Sequence, residues 1–190
     1  MAQKVEVFLT REEYKHALDV GYERSIKHRR PNGERLGTRF RTGRELPDIS
    51  GDQLACVAEA AVAKYYGTKW NDNAWDLSNH SDMRRAPDVE PNFEVRRINR
   101  IDGQLSLRSD DEKNKVAVLV YVDYENSQKV LLLGAVNIGN AMEQAVLAEE
   151  STPSNHYVYF TQRESYTVFQ DGLLDLSLFQ PELTNTEGVN

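Results

Sequence analysis

The chain has 190 residues and a formal net charge of −7, and 28% of its residues are charged. This length is enough for one domain with a buried core. The single cysteine, Cys56, excludes an intramolecular disulfide, and no stretch reaches the roughly 18 consecutive apolar residues of a membrane span. The N-terminal residues lack the apolar run of a signal peptide, so we expect a cytoplasmic protein.

The charge is distributed unevenly along the chain. Residues 24–44 contain eight lysines and arginines and one acid, so this stretch has a charge of +7 and the rest has −14. Such asymmetry predicts one basic patch on an acidic body, and a solvated charged loop is the alternative. Arginines on a glycine-containing loop can contact phosphates without reading base sequence. The residues predicted to bind DNA are Arg29, Arg30, Arg35, Arg39, Arg41 and Arg44.

The first predicted element is a helix near the N-terminus. Thr10 and Glu13 have the spacing of a capping box, in which each residue bonds the backbone of the other. Apolar or aromatic residues then recur every four positions from Tyr14 to Ile26, which predicts a helix over about 11–29.

A second helix is predicted between Ser50, which can cap it, and Gly67, which can close it. The intervening sequence is rich in alanine and has one apolar face. The polar stretch 68–91 has no clear period and is predicted to be a long loop, a type of segment that is often functional.

The second half of the chain is dominated by β-branched residues and a period of two. This pattern predicts an α/β or α+β fold, in which a mixed central β-sheet is flanked by helices. The predicted elements are a hairpin at 92–108, strands at 115–124 and 129–137, a short helix at 139–150, a strand beginning at 156 and a final apolar segment at 173–179.

Three acidic residues are candidates for one site. Glu59 lies inside the alanine-rich helix, Asp88 follows a proline, and Glu94 precedes Arg96 by two positions. Buried carboxylates are unfavourable unless they are paired or bind a cation. Two or three carboxylates around one point are ligands that Mg²⁺ prefers, and such an ion can activate water and polarise a phosphodiester. The ordinary alternative is a helix-surface glutamate and a strand with exposed charges.

The order of these motifs resembles the PD-(D/E)xK nuclease superfamily, which has the restriction-endonuclease-like fold. Pro87-Asp88 matches the "PD" of the motif, and "EVR", with Glu94 and Arg96, matches its "(D/E)xK". The segment "AEAAVAKYYG" is similar to the helix that carries a glutamate before these strands, with Glu59 in that position.

The resemblance implies a metal-dependent deoxyribonuclease of the small phage type, acting in the host cytoplasm. Glu59, Asp88 and Glu94 would bind Mg²⁺ or Mn²⁺, Glu94 would also orient the attacking water, and Arg96 would bind the phosphate. DNA is the expected partner, and a homodimer is common for this fold. The implied division is an N-terminal helix and basic loop at 1–49, a nuclease-like core at 50–179 and a disordered tail at 180–190.

Arg96 stands where the family has lysine. Arginine stays protonated and cannot act as a base, although it can bind phosphate through two hydrogen bonds. This departure favours a second hypothesis, a catalytically inactive member of the same fold. Such a protein would bind DNA or a host protein as a module or an inhibitor, since an acidic body can dock on a basic partner.

Overall fold

The computed structural model describes residues 2–27, 51–73, 86–123, 125–147, 158–161 and 165–181. In chain order its elements are β1 (Val5–Phe8), α1 (Arg11–Lys27), α2 (Gly51–Tyr66), β2 (Phe93–Ile98), β3 (Leu105–Arg108), β4 (Val116–Val122), β5 (Lys129–Asn137), α3 (Ile138–Glu143), β6 (Val146–Leu147), β7 (Val158–Thr161) and β8 (Ser165–Val168), followed by 3-10 turns at Gln170–Gly172 and Leu176–Leu178.

The strands form two four-stranded sheets, with the orders β1-β5-β4-β2 and β3-β8-β7-β6. In the first sheet β2 and β4 are parallel and the other pairs are antiparallel. Helices α1 and α2 pack together, and α2 packs on the first sheet. The predicted mixed sheet with flanking helices is therefore confirmed, and the restriction-endonuclease-like arrangement stays a prediction.

Helix α1 begins at the predicted capping box. The Thr10 N–H donates to the Glu13 carboxylate over 2.7 Å, and the Glu13 N–H donates to Thr10 Oγ1 over 3.2 Å. These reciprocal bonds satisfy two backbone donors that a helix start leaves without intrahelical partners.

The apolar spacing that predicted α1 does not mark its buried face throughout, because Tyr22 and Ile26 are 56% and 48% exposed. Smaller residues make the helix contact instead. A Cβ on Gly21 would lie 2.3 Å from the Cα of Gln53, so only glycine allows α1 and α2 to approach this closely. Close approach of the two backbones decides which face is buried, and it brings Arg24 of α1 against α2.

The predicted hairpin at 92–108 is also wrong. Strand β2 pairs in parallel with β4, with Phe93 opposite Val116, whereas β3 pairs with β8 in the second sheet. A period of two identifies which face of a strand is buried but does not identify its partner. The predicted strands at 115–124 and 129–137 are confirmed as the antiparallel pair β4 and β5.

Two further elements differ from the prediction. The helix expected over 139–150 ends at Glu143 and is followed by the short strand β6, and residues 148–157 lie outside the described ranges. Strand β1 was not predicted, although "VEVF" alternates in polarity. Because β1 pairs with β5 and α1 packs on α2, the elements β1 and α1 belong to the same hydrophobic core as α2.

Within the described residues, no helix is long and apolar enough to cross a membrane. Three predicted segments lie partly outside the described ranges: the basic patch at residues 28–44, the disordered tail at residues 182–190 and the long loop at residues 74–85.

Candidate functional site

The site contains four carboxylates and three cationic side chains. We call it the carboxylate cluster, and its members are Glu59, Asp88, Glu94, Asp111, Arg24, Arg96 and Lys115.

Helix α2 contributes Glu59, which is only 6% exposed in the Ala-rich contact with α1. The Nη1 of Arg24 donates to both oxygens of this carboxylate, each at 3.0 Å. A buried carboxylate requires such a partner, because desolvation without compensation is very unfavourable. The Glu59 position is therefore a buried ion pair between two helices and not an exposed surface charge.

Arg24 also holds the segment that follows α2. Its Nε donates to the Asn73 carbonyl over 3.2 Å, and its Nη2 donates to the Asn71 carbonyl. The guanidinium lies 5.9 Å from the ring centroid of Trp70, within the range of a cation–π contact. One buried arginine thus joins α1, α2 and residues 70–73.

Asp88 lies in the turn before β2, and its side chain folds back onto that strand. Its Oδ2 accepts the backbone N–H of Val95 over 2.8 Å, and its carbonyl accepts the N–H of Asn71 over 2.8 Å. A tight turn connects Asp88 to Glu94, since Val89 and Phe93 exchange backbone hydrogen bonds across it. The turn brings the Asp88 carboxylate close to the side chains of β2.

Glu94 on β2 is surrounded by cations. Lys115 donates to its Oε1 over 2.7 Å, and the Nη1 of Arg96 donates to its Oε2 over 3.3 Å. Arg96 Nη2 also donates to both oxygens of Asp111, at 2.8 and 2.9 Å. Lys115 directly precedes β4, and the parallel pairing of β2 with β4 places it beside Glu94.

The three predicted carboxylates lie close enough to perturb one another. Burial raises the pKa of Glu59 to about 8, and the Asp88 carboxylate adds to this shift while Arg24 opposes it. Burial also raises the pKa of Asp88, although the Val95 N–H favours its ionised form. Burial and then the charge of Asp88 raise the pKa of Glu94.

The geometry of the Glu59 pair favours an ionised carboxylate, whereas burial and Asp88 favour a protonated one. The raised pKa agrees with the charge count, because the carboxylate cluster has one more acid than it has cations. A proton or an additional cation would reduce this excess of negative charge, to which Glu112, 3.8 Å from Lys115, also contributes. The structure therefore brings Glu59, Asp88 and Glu94 together as an electrostatically coupled group.

Metal binding by all three carboxylates would require a rearrangement. Within the described part of the chain, no group of three or more His, Cys, Asp or Glu side chains is arranged to hold a metal ion. Both Glu59 oxygens accept from Arg24, and both Glu94 oxygens accept from cations. Mg²⁺ is usually bound by one or two carboxylates with waters and phosphate oxygens. Asp88 and Glu94 are the two carboxylates that fit that donor set, with Glu94 sharing an oxygen with Lys115 or Arg96 or releasing one of them, whereas Glu59 would have to release Arg24.

Three residues of the site were not predicted as functional. Arg24 was counted in the basic patch at 24–44, but it is 8% exposed and is unavailable to DNA. Its position could have indicated burial, because Arg24 is seven residues after the apolar Ala17 and residues seven apart share a helix face. Lys115 and Asp111 gave no comparable signal, since only the pairing of distant strands brings them to β2.

The six arginines predicted to bind DNA lie between 29 and 44, outside the described residues, so DNA binding by these arginines stays a prediction.

No protein-family model, curated protein or solved structure matches the chain.

Proposed function

We propose that the chain is a metal-dependent nuclease that hydrolyses DNA phosphodiester bonds at the carboxylate cluster. The observation that carries this proposal is the meeting of Asp88 and Glu94 with Lys115, whose Nζ lies 2.7 Å from the Glu94 carboxylate. Lysine, unlike arginine, can exchange a proton during a reaction. Lys115 therefore supplies the type of cation that the motif position occupied by Arg96 lacks.

Asp88 and Glu94 would hold Mg²⁺ or Mn²⁺, which when bound lowers the pKa of water and neutralises charge on a phosphate. Glu94 would orient the attacking water, with Lys115 donating to the same carboxylate. The side chain of Arg96 is 25% exposed against 5% for Lys115, so Arg96 is the cation that a phosphate can reach. Asp111 holds the Arg96 guanidinium through two hydrogen bonds and orients it for that contact.

The test is a cleavage assay on linear, circular and single-stranded DNA with Mg²⁺, Mn²⁺ or EDTA. We expect metal-dependent cutting that falls by about 100-fold or more in Asp88→Asn, Glu94→Gln and Lys115→Met. Asp102→Asn is the matched control, because Asp102 forms an exposed ion pair with Arg100 away from the cluster. Folded wild-type protein that cuts none of the substrates with either metal would overturn the proposal.

A second candidate function is a non-catalytic DNA- or protein-binding module. It is favoured by the contacts of Glu59 and Glu94, whose four carboxylate oxygens already accept hydrogen bonds from cations. These carboxylate oxygens have hydrogen-bond partners without a metal ion. An ion that binds only the folded state raises the melting temperature. A protein that cuts no DNA and whose melting temperature is unchanged by Mg²⁺ would support this second function.

A further inference from the structure

The donors of Arg24 do more than neutralise Glu59. A charge partner alone needs one nitrogen, and Nη1 meets this requirement by donating to both Glu59 oxygens. The other two nitrogens donate to backbone carbonyls, Nε to Asn73 and Nη2 to Asn71. A lysine at this position would keep the charge but could not make this forked set of contacts.

The carbonyl contacts lead directly to Asp88. The Asn71 residue that accepts from Arg24 donates its own N–H to the Asp88 carbonyl over 2.8 Å. Trp70 and Val89 form an isolated bridge beside it, and the Glu90 N–H donates to the carbonyl of residue 69 over 2.8 Å. Residues 69–71 therefore pair with residues 88–90 as a short ladder. Hydrogen bonds from Arg24, which lies on α1, connect this ladder to α1 and, through Glu59, to α2.

Asp88 is thus held from two sides. Its backbone carbonyl accepts the N–H of Asn71, whose own carbonyl accepts from Arg24. Its carboxylate accepts the Val95 N–H of β2. We propose that Arg24 is a positioning residue, which sets where the Asp88 carboxylate lies relative to Glu94 on β2. This inference rests on the proposed function of the carboxylate cluster, because it assigns Arg24 a part in that site.

Amide hydrogen exchange tests the positioning without relying on activity. The N–H groups of Asn71 and Val95 report the two sides of Asp88, and the Leu174 N–H, bonded to the Ala135 carbonyl, is a reference amide. In Arg24→Lys we expect exchange at Asn71 and Val95 to accelerate by about tenfold relative to Leu174.

The double variant R24M/E59M guards against a simple loss of folding. Replacing a buried ion pair by apolar residues of similar size often leaves a fold intact. The double variant removes the hydrogen bonds to the carbonyls of residues 71 and 73 without leaving an unpaired charge at residue 59. The amides of Asn71 and Val95 should therefore lose protection from exchange in this variant also. Lys64→Met is the matched control, because Lys64 forms the exposed ion pair between α1 and α2 with Glu13.

Kinetics supply the readout that a purely structural role would not change. If the wild type cuts DNA, Arg24→Lys should lower kcat by about tenfold or more with little change in KM, since Asp88 is displaced while DNA contacts remain. Equal acceleration of all three amides in both variants, or unchanged kcat despite faster exchange at Val95, would overturn the inference. A wild type that cuts no DNA would refute the proposed function alone, because the exchange result stands by itself.

Discussion

Replacing Glu59 by glutamine should remove a pH dependence of stability that the burial of its carboxylate beside Asp88 creates. Burial and the nearby Asp88 raise the pKa of Glu59 from 4.5 to about 8. Between these values the folded protein keeps a proton that the unfolded chain has released. The contribution of Glu59 to stability is therefore fully present below pH 4.5 and is lost as the pH rises through about 8.

The magnitude follows from the width of this window. One proton changes the free energy of unfolding by about 1.4 kcal/mol per pH unit, so the wild type should lose about 4 kcal/mol between pH 5 and 8 through this group. Glu59 is only 6% exposed, so solvent screening reduces this value little. Glutamine stays neutral at every pH. The free energy of unfolding of the variant, measured relative to that of the wild type, should therefore rise by about 4 kcal/mol from pH 5 to pH 8.

The assay is urea unfolding of both proteins at intervals from pH 5 to 9. Glu13→Gln is the control, because the hydrogen bond from Lys64 lowers the pKa of Glu13. The stability that Glu13 contributes is present above its unfolded pKa and is lost only as the pH falls, so its removal should not change the slope between pH 5 and 9. Parallel stability curves for Glu59→Gln and the wild type would refute the assignment of a raised pKa to Glu59.

Two further substitutions test the packing around the site. Gly21→Ala should destabilise the protein by about 1–3 kcal/mol in urea unfolding, because its Cβ would overlap Gln53, whereas Gly51→Ala meets no atom within 4 Å and should be neutral or slightly stabilising. Equal effects of the two alanines would contradict the close helix contact. Asp111→Asn should lower stability by about 2 kcal/mol and weaken DNA cleavage, since it removes the carboxylate that holds Arg96. Unchanged stability and cleavage would show that this ion pair has no role in orienting Arg96.

The parts of the fold that were predictable depend on neighbours in sequence. The capping box of Thr10 and Glu13 and the end of α2 at Gly67, whose φ is +65°, are local devices that the sequence displays directly. The partner of β2 depends instead on which distant strand covers its edge, and alternation of polarity carries no information about that choice. The buried face of α1 could not be predicted for a related reason, since the close approach of α2 at Gly21 leaves the larger side chain of Tyr22 exposed.

Only some residues of the candidate site could likewise be predicted from the sequence. Glu59, Asp88 and Glu94 could be named from short motifs, and the structure places them within electrostatic range of one another. Their partners could not be named, because Arg24 comes from α1 and Lys115 from the start of β4. A motif specifies the residues that share a segment, whereas the charges that balance them are selected by tertiary packing from elsewhere in the chain.

The unequal numbers of acids and cations in the carboxylate cluster make a final prediction about metal binding. The cluster has four carboxylates and three cations, so one proton reduces its excess negative charge at low pH, and burial raises the pKa of Glu59 to about 8. A divalent ion that enters the cluster should displace the proton, because each relieves the same repulsion among the carboxylates. Binding of Mg²⁺ should therefore tighten by up to about tenfold per pH unit between pH 6 and 8, with about one proton released per ion.

Calorimetric titration in two buffers of different ionisation enthalpy measures that proton directly, and Asp88→Asn should abolish both the binding and the release. Mg²⁺ binding that is independent of pH and releases no proton would place the ion outside the carboxylate cluster and remove the electrostatic basis for a nuclease site there.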